Sequence, residues 1–402
     1  MNKLILNILI IALFLTACSR QEDTTIIKFS TWGSKSEINM LKPLLNEFEV
    51  QNPDIKVELV HVPNNYFQKL HLLIISNLAP DVMFVNNING KIYMENDKFE
   101  DLTPFLTSEI KADFFPNTLK AGSDNGKLYI IPRDISNLAV YYNKDLFDAK
   151  GIPYPDSNWT IEEFGNTAKK LSDSNHFGVG FEKHPMYWLP FLWSNGGGLI
   201  AADNKTIILA EQRSKDALRF YVDLRIKYHA APYDDEQSSA TTTQLFLQQK
   251  TAMQLSGRWI TPTLNQNAAF KWGAVTFPKG TNGSVVNADV SGWAMSSSSK
   301  HKKQAWRLIE FLSSKKAISE ITKGGLIVPS RISIANSEVF KDDNSKIFIK
   351  AVDNAIPTPA PAKYQEMIDI LSETLQPVFL GKQDVDEAIN NKFITKFKNL
   401  LR

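Results

Sequence analysis

Residues 26–32 read IIKFSTW, and this short apolar run begins the pattern that decides the fold. Similar runs return at residues 55–60, which read IKVELV, and at residues 81–85, which read DVMFV. Between these runs, apolar residues recur at helical spacing in residues 38–48 and 67–78. This strand–helix–strand–helix–strand order predicts a parallel sheet with right-handed crossovers. We therefore expect an α/β fold.

The ends of the predicted strands indicate where a ligand would bind. In open sheets of this kind, ligands lie beyond the carboxyl ends of the strands. That edge would carry Trp32 after the first strand, the loop near Asn64 and Tyr66, and Asn86 after the third strand.

The composition is that of a soluble globular protein, with 43% apolar and 22% charged residues. A chain of 402 residues usually forms two domains. The formal net charge is +2, and the basic residues are spread along the chain. Because nucleic acid binding needs a concentrated basic surface, we do not expect that function.

Cys18 is the only cysteine, and it closes the run LTAC at residues 15–18. A mostly apolar stretch of about 12 residues precedes it, which is too short for the roughly 20 residues that span a bilayer. Such a segment is typical of a secretory signal, and the run resembles a bacterial lipobox. The resemblance implies a signal peptide in residues 1–17, a diacylglycerol on the Cys18 thiol, and a flexible tether in residues 18–25. A stray thiol within a signal peptide is the alternative.

No motif for reaction chemistry is evident in the sequence. The six histidines show no metal-ligand spacing. A glycine-rich loop ending in Gly-Lys-Ser/Thr is absent, as is a Gly-x-Ser-x-Gly nucleophile turn. We therefore predict no metal, no cofactor and no catalytic residue, although paired carboxylates for glycoside cleavage can come from distant positions.

Tryptophan carries the functional signal. Several of the eight tryptophans stand next to glycine or in loops, among them Trp32 before Gly33, Trp259 two residues after Gly257, and Trp293 after Gly292. A ring beside flexible backbone is well placed to stack on the apolar C–H face of a sugar, while nearby polar groups reach the hydroxyls. We expect Trp259 and Trp293 to contact a ligand, and we interpret Trp272 and Trp306 as core residues.

Ordered sequence pieces resemble the maltose-binding-like extracellular solute-binding proteins of carbohydrate ABC importers. The resemblance covers essentially the whole mature chain, and the shared order of the pieces makes it specific. They are GKLYIIP at residues 126–132, LAVYYNKDLF at 138–147, NWTIEEF at 158–164, SNGG at 194–197, GRW at 257–259 and VPSR at 328–331.

This resemblance implies a two-lobe periplasmic-binding-protein fold, with the ligand cleft between lobes that hinge strands join. Residues 26–135 and 289–340 would form the first lobe, and residues 136–288 and 341–402 the second. The proline-rich piece at residues 356–361 is either an extended crossing between the lobes or a plain surface loop.

The resemblance also implies a set of ligand-binding residues. Ser136 stands where many sugar-binding relatives carry a carboxylate, and a serine is a weaker acceptor for paired hydroxyls. The identity of the sugar therefore stays open. The implied residues are Trp32, Ser34, Asn86, Asp134, Ser136, Trp188, Trp259, Gly292, Trp293 and Tyr364.

The function implied is capture of a sugar or oligosaccharide by hinge closure and its delivery to an ABC permease, with a separate ATPase supplying the energy. The protein would be a monomer without a cofactor. A lipid anchor alone would hold it at the outer face of the cell membrane, or on the periplasmic side in a bacterium with two membranes.

Alternatives stay open at this point. An exported glycan hydrolase would need two carboxylates about 5 to 9.5 Å apart in its cleft, and Asp134 with Asp289 is the pair to inspect. The ligand could also be a polyamine, held by several carboxylates, or a phosphorylated polyol. Arg133, Arg258 and Arg331 keep a phosphate ligand open.

Overall fold

A computed structural model describes residues 24–201, 205–233, 241–352, 354–361 and 363–401. The predicted signal peptide, the predicted lipidation site Cys18 and most of the predicted tether lie outside the described residues. Within the described residues, no helix is both long and apolar enough to cross a membrane.

Strands and helices alternate over much of the chain. The strands are β1 (Thr25–Thr31), β2 (Ile55–His61), β3 (Val82–Asn86), β4 (Ser123–Asp124), β5 (Lys127–Leu128), β6 (Ile130–Ser136), β7 (Ala139–Asn143), β8 (Phe177–Val179), β9 (Thr251–Ser256), β10 (Trp272–Thr276), β11 (Asp289–Met295) and β12 (Val328–Pro329). The helices are α1 (Lys35–Gln51), α2 (Tyr66–Ile75), α3 (Asn87–Glu95), α4 (Ser108–Ala112), α5 (Pro116–Ala121), α6 (Lys144–Ala149), α7 (Ile161–Leu171), α8 (Pro185–Ser194), α9 (Gln212–Ile226), α10 (Thr242–Leu247), α11 (Thr261–Asn267), α12 (Lys302–Leu312), α13 (Lys315–Lys323), α14 (Ile332–Ala335), α15 (Asp343–Val352), α16 (Tyr364–Phe379), α17 (Val385–Ala388) and α18 (Asn391–Leu400).

The larger sheet has six strands in the order β12-β6-β11-β3-β1-β2. Strand β1 pairs in parallel with both β2 and β3, which confirms the parallel unit predicted from residues 26–85. Strand β11 joins it in antiparallel pairing between β3 and β6, and β12 pairs with β6 at the edge. We call this sheet and the helices packed on it lobe 1.

Alternation along the strands buries both faces of the larger sheet. In β3, Val82 and Phe84 join the core beneath α1, α12 and α13, whereas Met83 and Val85 join the core beneath α2 and α3. Successive side chains of a strand point to opposite faces, so one apolar run serves two helical layers. This explains why residues 82–85 are all apolar.

The smaller sheet has four strands in the order β10-β7-β9-β8. Strand β7 is antiparallel to β10 and β9, and β8 is parallel to β9. Helices α7, α8, α9, α16 and α18 contribute to its core, which includes Trp188, Phe191 and Tyr221. We call this sheet and its helices lobe 2.

The chain passes between the lobes more than once. It leaves lobe 1 through β6 into β7, and it returns from β10 to β11. After β12 it passes again to α15, which contacts β10 and β7. Ile356 then lies alongside the second passage, because its N–H donates to Val286 O at 2.9 Å and its carbonyl accepts from Ala288 N at 2.8 Å. The proline-rich segment thus begins as extended chain beside β11, while the lobe boundaries given above stay predictions.

Candidate ligand-binding cavity

A cavity of about 450 Å³ lies between the lobes. Its volume falls within the range of small-molecule binding sites. Both lobes supply its walls, since Trp32 follows β1, Asp134 lies in β6, and Trp259 follows β9. The lining residues are Trp32, Ser34, Glu37, Arg133, Asp134, Ile135, Ser136, Thr243, Arg258, Trp259, Ile260, Thr263, Ser291, Leu326, Ile327 and Val328.

The turn between β1 and α1 fixes one wall of this cavity. Ser34 caps α1, since its hydroxyl accepts from Glu37 N at 3.3 Å and the Glu37 carboxylate accepts from Ser34 N at 2.7 Å. This reciprocal capping box sets the direction in which the chain leaves the strand. The Trp32 indole packs on Tyr66 and Phe84, with ring centroids 5.1 and 4.3 Å away. The ring is therefore held in place from behind.

Trp259 forms the facing aromatic wall. It is half-buried, and it packs against the cores of both lobes. Gly257 permits this position, because a Cβ on Gly257 would lie 1.9 Å from the Trp259 ring. Gly257, two residues before this tryptophan, thus makes room for a ring that lines the cavity.

Asp134 brings a buried carboxylate to the cavity. It is only 5% exposed, and its Oδ2 accepts from Arg133 Nε at 2.6 Å. Its Oδ1 is buried without a hydrogen-bond partner among the described residues. Burial raises the pKa of Asp134, and the Arg133 guanidinium opposes that shift. A buried acceptor without a partner costs stability unless a donor reaches it.

Charges in the cavity wall are balanced. Arg133 and Arg258 supply two positive charges, and Glu37 and Asp134 supply two negative ones. Arg133 lies against Asp134 and stacks over Phe84, with its guanidinium 4.0 Å from the ring centroid. Burial lowers the pKa of the Arg258 guanidinium from its ordinary value. The wall therefore presents no excess of either sign.

The structure places two of the predicted tryptophans in the cores instead. Trp188 is 0% exposed, and its Nε1 donates to Lys183 O at 3.0 Å. Trp293 is 1% exposed and packs in the core of lobe 1 near Phe84. The glycine before it, Gly292, has a packing role, because a Cβ there would lie 2.1 Å from Ile131 O on the neighbouring strand. Neither indole lines the cavity. Trp293 is therefore not placed to stack on a ligand there, contrary to the prediction.

Asn86 and Tyr364 also lie outside the cavity lining. Asn86 caps α3, since its Oδ1 accepts from Asn89 N at 2.8 Å. Tyr364 begins α16 and is 9% exposed within the core of lobe 2, where burial raises its pKa. The predicted residues that the structure brings together are therefore Trp32, Ser34, Asp134, Ser136 and Trp259.

Asp289 does not join Asp134 as a second carboxylate in the cavity. It is 3% exposed and is not part of the lining. Its Oδ1 accepts from Thr358 N at 3.0 Å, and its Oδ2 accepts from Thr358 Oγ1 at 2.7 Å and from Asn287 Nδ2 at 3.1 Å. These bonds tie β11 to the proline-rich segment. Hydrogen bonds within the fold thus hold Asp289, and it does not pair with Asp134 in this cavity.

Comparison with known proteins identifies the family. The sequence profile of the bacterial extracellular solute-binding proteins matches residues 34–318, which is more than half of the chain. The chain belongs to this family.

Relatives of this solute-binding protein extend the match to the whole fold. The galactooligosaccharide-binding protein of Bacillus subtilis is 25% identical over 403 residues, covering 94% of this chain and 92% of the relative. An ABC substrate-binding protein from Listeria monocytogenes, solved in complex with cycloalternan, superimposes with a TM-score of 0.86 at 24% identity, covering 94% of this chain and 99% of that one. UgpB from Mycobacterium tuberculosis, solved with glycerophosphocholine, gives a TM-score of 0.82 at 17% identity, with coverage of 92% and 97%. The fold is the two-lobe periplasmic-binding-protein fold.

Several lining residues of the solute-binding protein were not singled out as ligand contacts from the sequence. Glu37 was detectable, since Ser34 and Glu37 have the spacing of a capping box directly after a strand. Thr243 and Thr263 lie in α10 and α11 and carry no local signal. The sequence marks Arg258 only as a candidate phosphate ligand.

Proposed function

We propose that the protein is the substrate-binding lipoprotein of an ABC importer, which captures a sugar or oligosaccharide between its lobes. The observation that carries this proposal is a cavity with an indole on each lobe and a buried carboxylate oxygen without a partner. Trp32 and Trp259 would cover the apolar faces of a sugar ring. Sugar hydroxyls would donate to Asp134 Oδ1 and bond with Ser136, Thr243 or Thr263.

The balance of charge supports an uncharged ligand. The two arginines in the wall are matched by Glu37 and Asp134, so a neutral polyhydroxyl compound fits the cavity better than an ion. The names of the relatives, which bind galactooligosaccharide or were solved with cycloalternan, support the same ligand class. A ligand shifts the equilibrium between open and closed forms only by binding one form more tightly. A ligand that contacts both lobes would bind the closed form more tightly, because only that form brings both sets of contacts together.

Export and anchoring complete the proposal. Signal cleavage before Cys18 and lipidation of its thiol would hold a monomer at the outer face of a membrane, or on the periplasmic side where there are two. The closed protein would deliver its ligand to the permease, and a separate ATPase would supply energy. We infer that the protein is not an enzyme, since its relatives are binding proteins.

A phosphorylated solute is the second candidate. Arg133 and Arg258 both line the cavity, and UgpB was solved with a glycerophosphodiester. Against it, Arg133 is paired with Asp134, and the third candidate arginine, Arg331, pairs with Asp113 and does not line the cavity.

A thermal-shift panel separates these candidates. The purified protein would be heated with neutral monosaccharides and oligosaccharides and, separately, with sugar and polyol phosphates. A ligand at 100 times its Kd should add about 2.7 kcal/mol to the free energy of unfolding. We expect stabilisation by a neutral sugar, with the same sugar recovered unchanged. Stabilisation by phosphates alone would favour the second candidate, and steady release of product would favour a hydrolase.

A further inference from the structure

Arg258 is a buried arginine at the junction of the two lobes. It follows β9 of lobe 2 directly before Trp259, it is 4% exposed, and it lines the cavity. Burying a guanidinium costs free energy of folding unless its N–H groups find acceptors. The partners of Arg258 therefore need to be identified.

The partners of Arg258 come from two separate segments of the chain. Its Nη1 donates to Thr322 O at 3.2 Å and to Ile327 O at 2.6 Å. Its Nε and Nη2 donate to Ser345 Oγ at 3.1 and 2.8 Å. The guanidinium also lies 4.5 Å from the centroid of the Phe340 ring. The planar group is therefore held at several points, which fixes its orientation.

Two of these bonds join the lobes. Thr322 lies in α13, and Ile327 directly precedes β12, the edge strand of the lobe 1 sheet. Residues 326–328 also line the cavity. The guanidinium thus connects the cavity wall of lobe 2, next to Trp259, with the cavity wall of lobe 1.

We propose that Arg258 is an interlobe latch: it positions Trp259 against lobe 1 and shifts the balance between open and closed forms toward the closed form. This inference rests on the proposed function, in which closure captures the ligand. Its direction follows from geometry, since Arg258 and Ile327 meet on the cavity side of the lobes. Loss of these bonds should therefore release the lobes into a more open form.

Arg331 offers a matched control. It is 5% exposed, and its guanidinium lies 4.5 Å from the centroid of the Phe114 ring, as Arg258 lies beside Phe340. Its Nε donates to Ser313 O at 2.7 Å and its Nη1 to Asp113 at 2.9 Å, so all of these contacts lie within lobe 1. A change at Arg331 removes a similarly buried cation without touching a bond between the lobes.

The test measures the distance between the lobes without a ligand. Spin labels would be placed by Lys35→Cys on α1 and Gln248→Cys after α10, both exposed, in a Cys18→Ser background. Pulsed electron resonance should show longer distances for Arg258→Gln, a smaller increase for Arg258→Lys, and the unchanged distribution for Arg331→Gln. Unchanged distances in Arg258→Gln, or an equal increase in Arg331→Gln, would overturn the latch.

Ligand addition provides the second readout. A sugar found by the thermal-shift panel should return Arg258→Gln to the closed distance, with a Kd about tenfold weaker because less of the free protein is competent to bind. If Arg258→Gln does not fold, Ser345→Ala provides a second variant, because it removes the hydroxyl that orients the guanidinium. It should give a smaller increase in the distance between the spin labels. An unchanged distance would count against the proposal. If no sugar binds the unaltered protein, the proposed function fails, yet the distances without ligand still test the latch.

Discussion

Replacing Asp134 with asparagine should change sugar binding and folding stability in opposite directions. Asp134→Asn keeps the size of the side chain and removes its charge. The amide oxygen can still accept from Arg133, which leaves the amide NH₂ at the cavity in place of Oδ1. A ligand hydroxyl that donated to the carboxylate then meets a donor. We therefore expect weaker sugar binding.

The size of the loss follows from the kind of bond. A hydrogen bond to a charged group contributes roughly 1.5 to 3 kcal/mol. Since 1.4 kcal/mol corresponds to a tenfold change, the Kd of Asp134→Asn should rise by about ten- to a hundredfold. Arg133 can still donate to the amide oxygen and hold the side chain in place, so we do not expect a complete loss of binding.

Stability should respond in the opposite direction. Burial raises the pKa of Asp134, so the folded protein binds this proton more tightly than the unfolded chain does. The associated stability is present below the unfolded pKa of about 3.9, and it is lost as the pH rises through the folded pKa. Above the folded pKa the buried ionised carboxylate costs stability, and a neutral amide does not carry that cost. Asp134→Asn without ligand should be at least as stable as the parent protein at pH 7, with the difference shrinking in acid.

Calorimetric titration and urea unfolding measure these two effects. Asp223→Asn is a suitable control, because burial also raises the pKa of Asp223 but that residue lies outside the cavity. It should leave the Kd for sugar unchanged. If Asp134→Asn binds the same sugar as tightly as the parent protein, Asp134 does not contact the ligand.

Other substitutions test the aromatic wall and the anchor. Trp259→Ala should weaken binding by roughly 1 to 3 kcal/mol, which titration would detect, whereas Trp306→Ala, stacked on Phe105 away from the cavity, should not. Gly257→Ala should also raise the Kd, because its Cβ would displace the Trp259 ring; an unchanged Kd would show that the ring position is unimportant. Cys18→Ser should move the protein from the membrane to the soluble fraction of cells without changing its Kd, and retention in washed membranes would contradict lipidation.

The fold of lobe 1 was readable from local patterns. The runs at residues 26–32, 55–60 and 81–85 became β1, β2 and β3 because each apolar run was short and helical spacing separated them. Trp32 followed from the same reasoning, since a residue after the first parallel strand lies at the ligand edge. Trp259 was predicted from its glycine-containing stretch and again from the family resemblance, whereas Asp134 and Ser136 were predicted as ligand contacts from the resemblance alone.

Contacts distant in sequence could not be predicted in this way. Trp293 follows Gly292 directly and Trp259 lies two residues after Gly257, yet Gly292 is needed because Ile131 O on the paired strand leaves no room for a Cβ. Nothing near residue 292 in the sequence reveals that neighbour. The partners of Arg258 and the bonds from Asp289 to Thr358 depend in the same way on how the lobes meet.

We propose that the two lobes close around one bound sugar molecule. Solution scattering during titration with a sugar from the thermal-shift panel tests it most directly, with the spin-label pair at positions 35 and 248 reporting the same motion. We expect a modest fall in the radius of gyration and a shorter distance between the labels. Both changes should saturate at one ligand per chain while the sugar remains unaltered. Saturable binding with neither change, or steady conversion of the sugar into product, would contradict capture by closure.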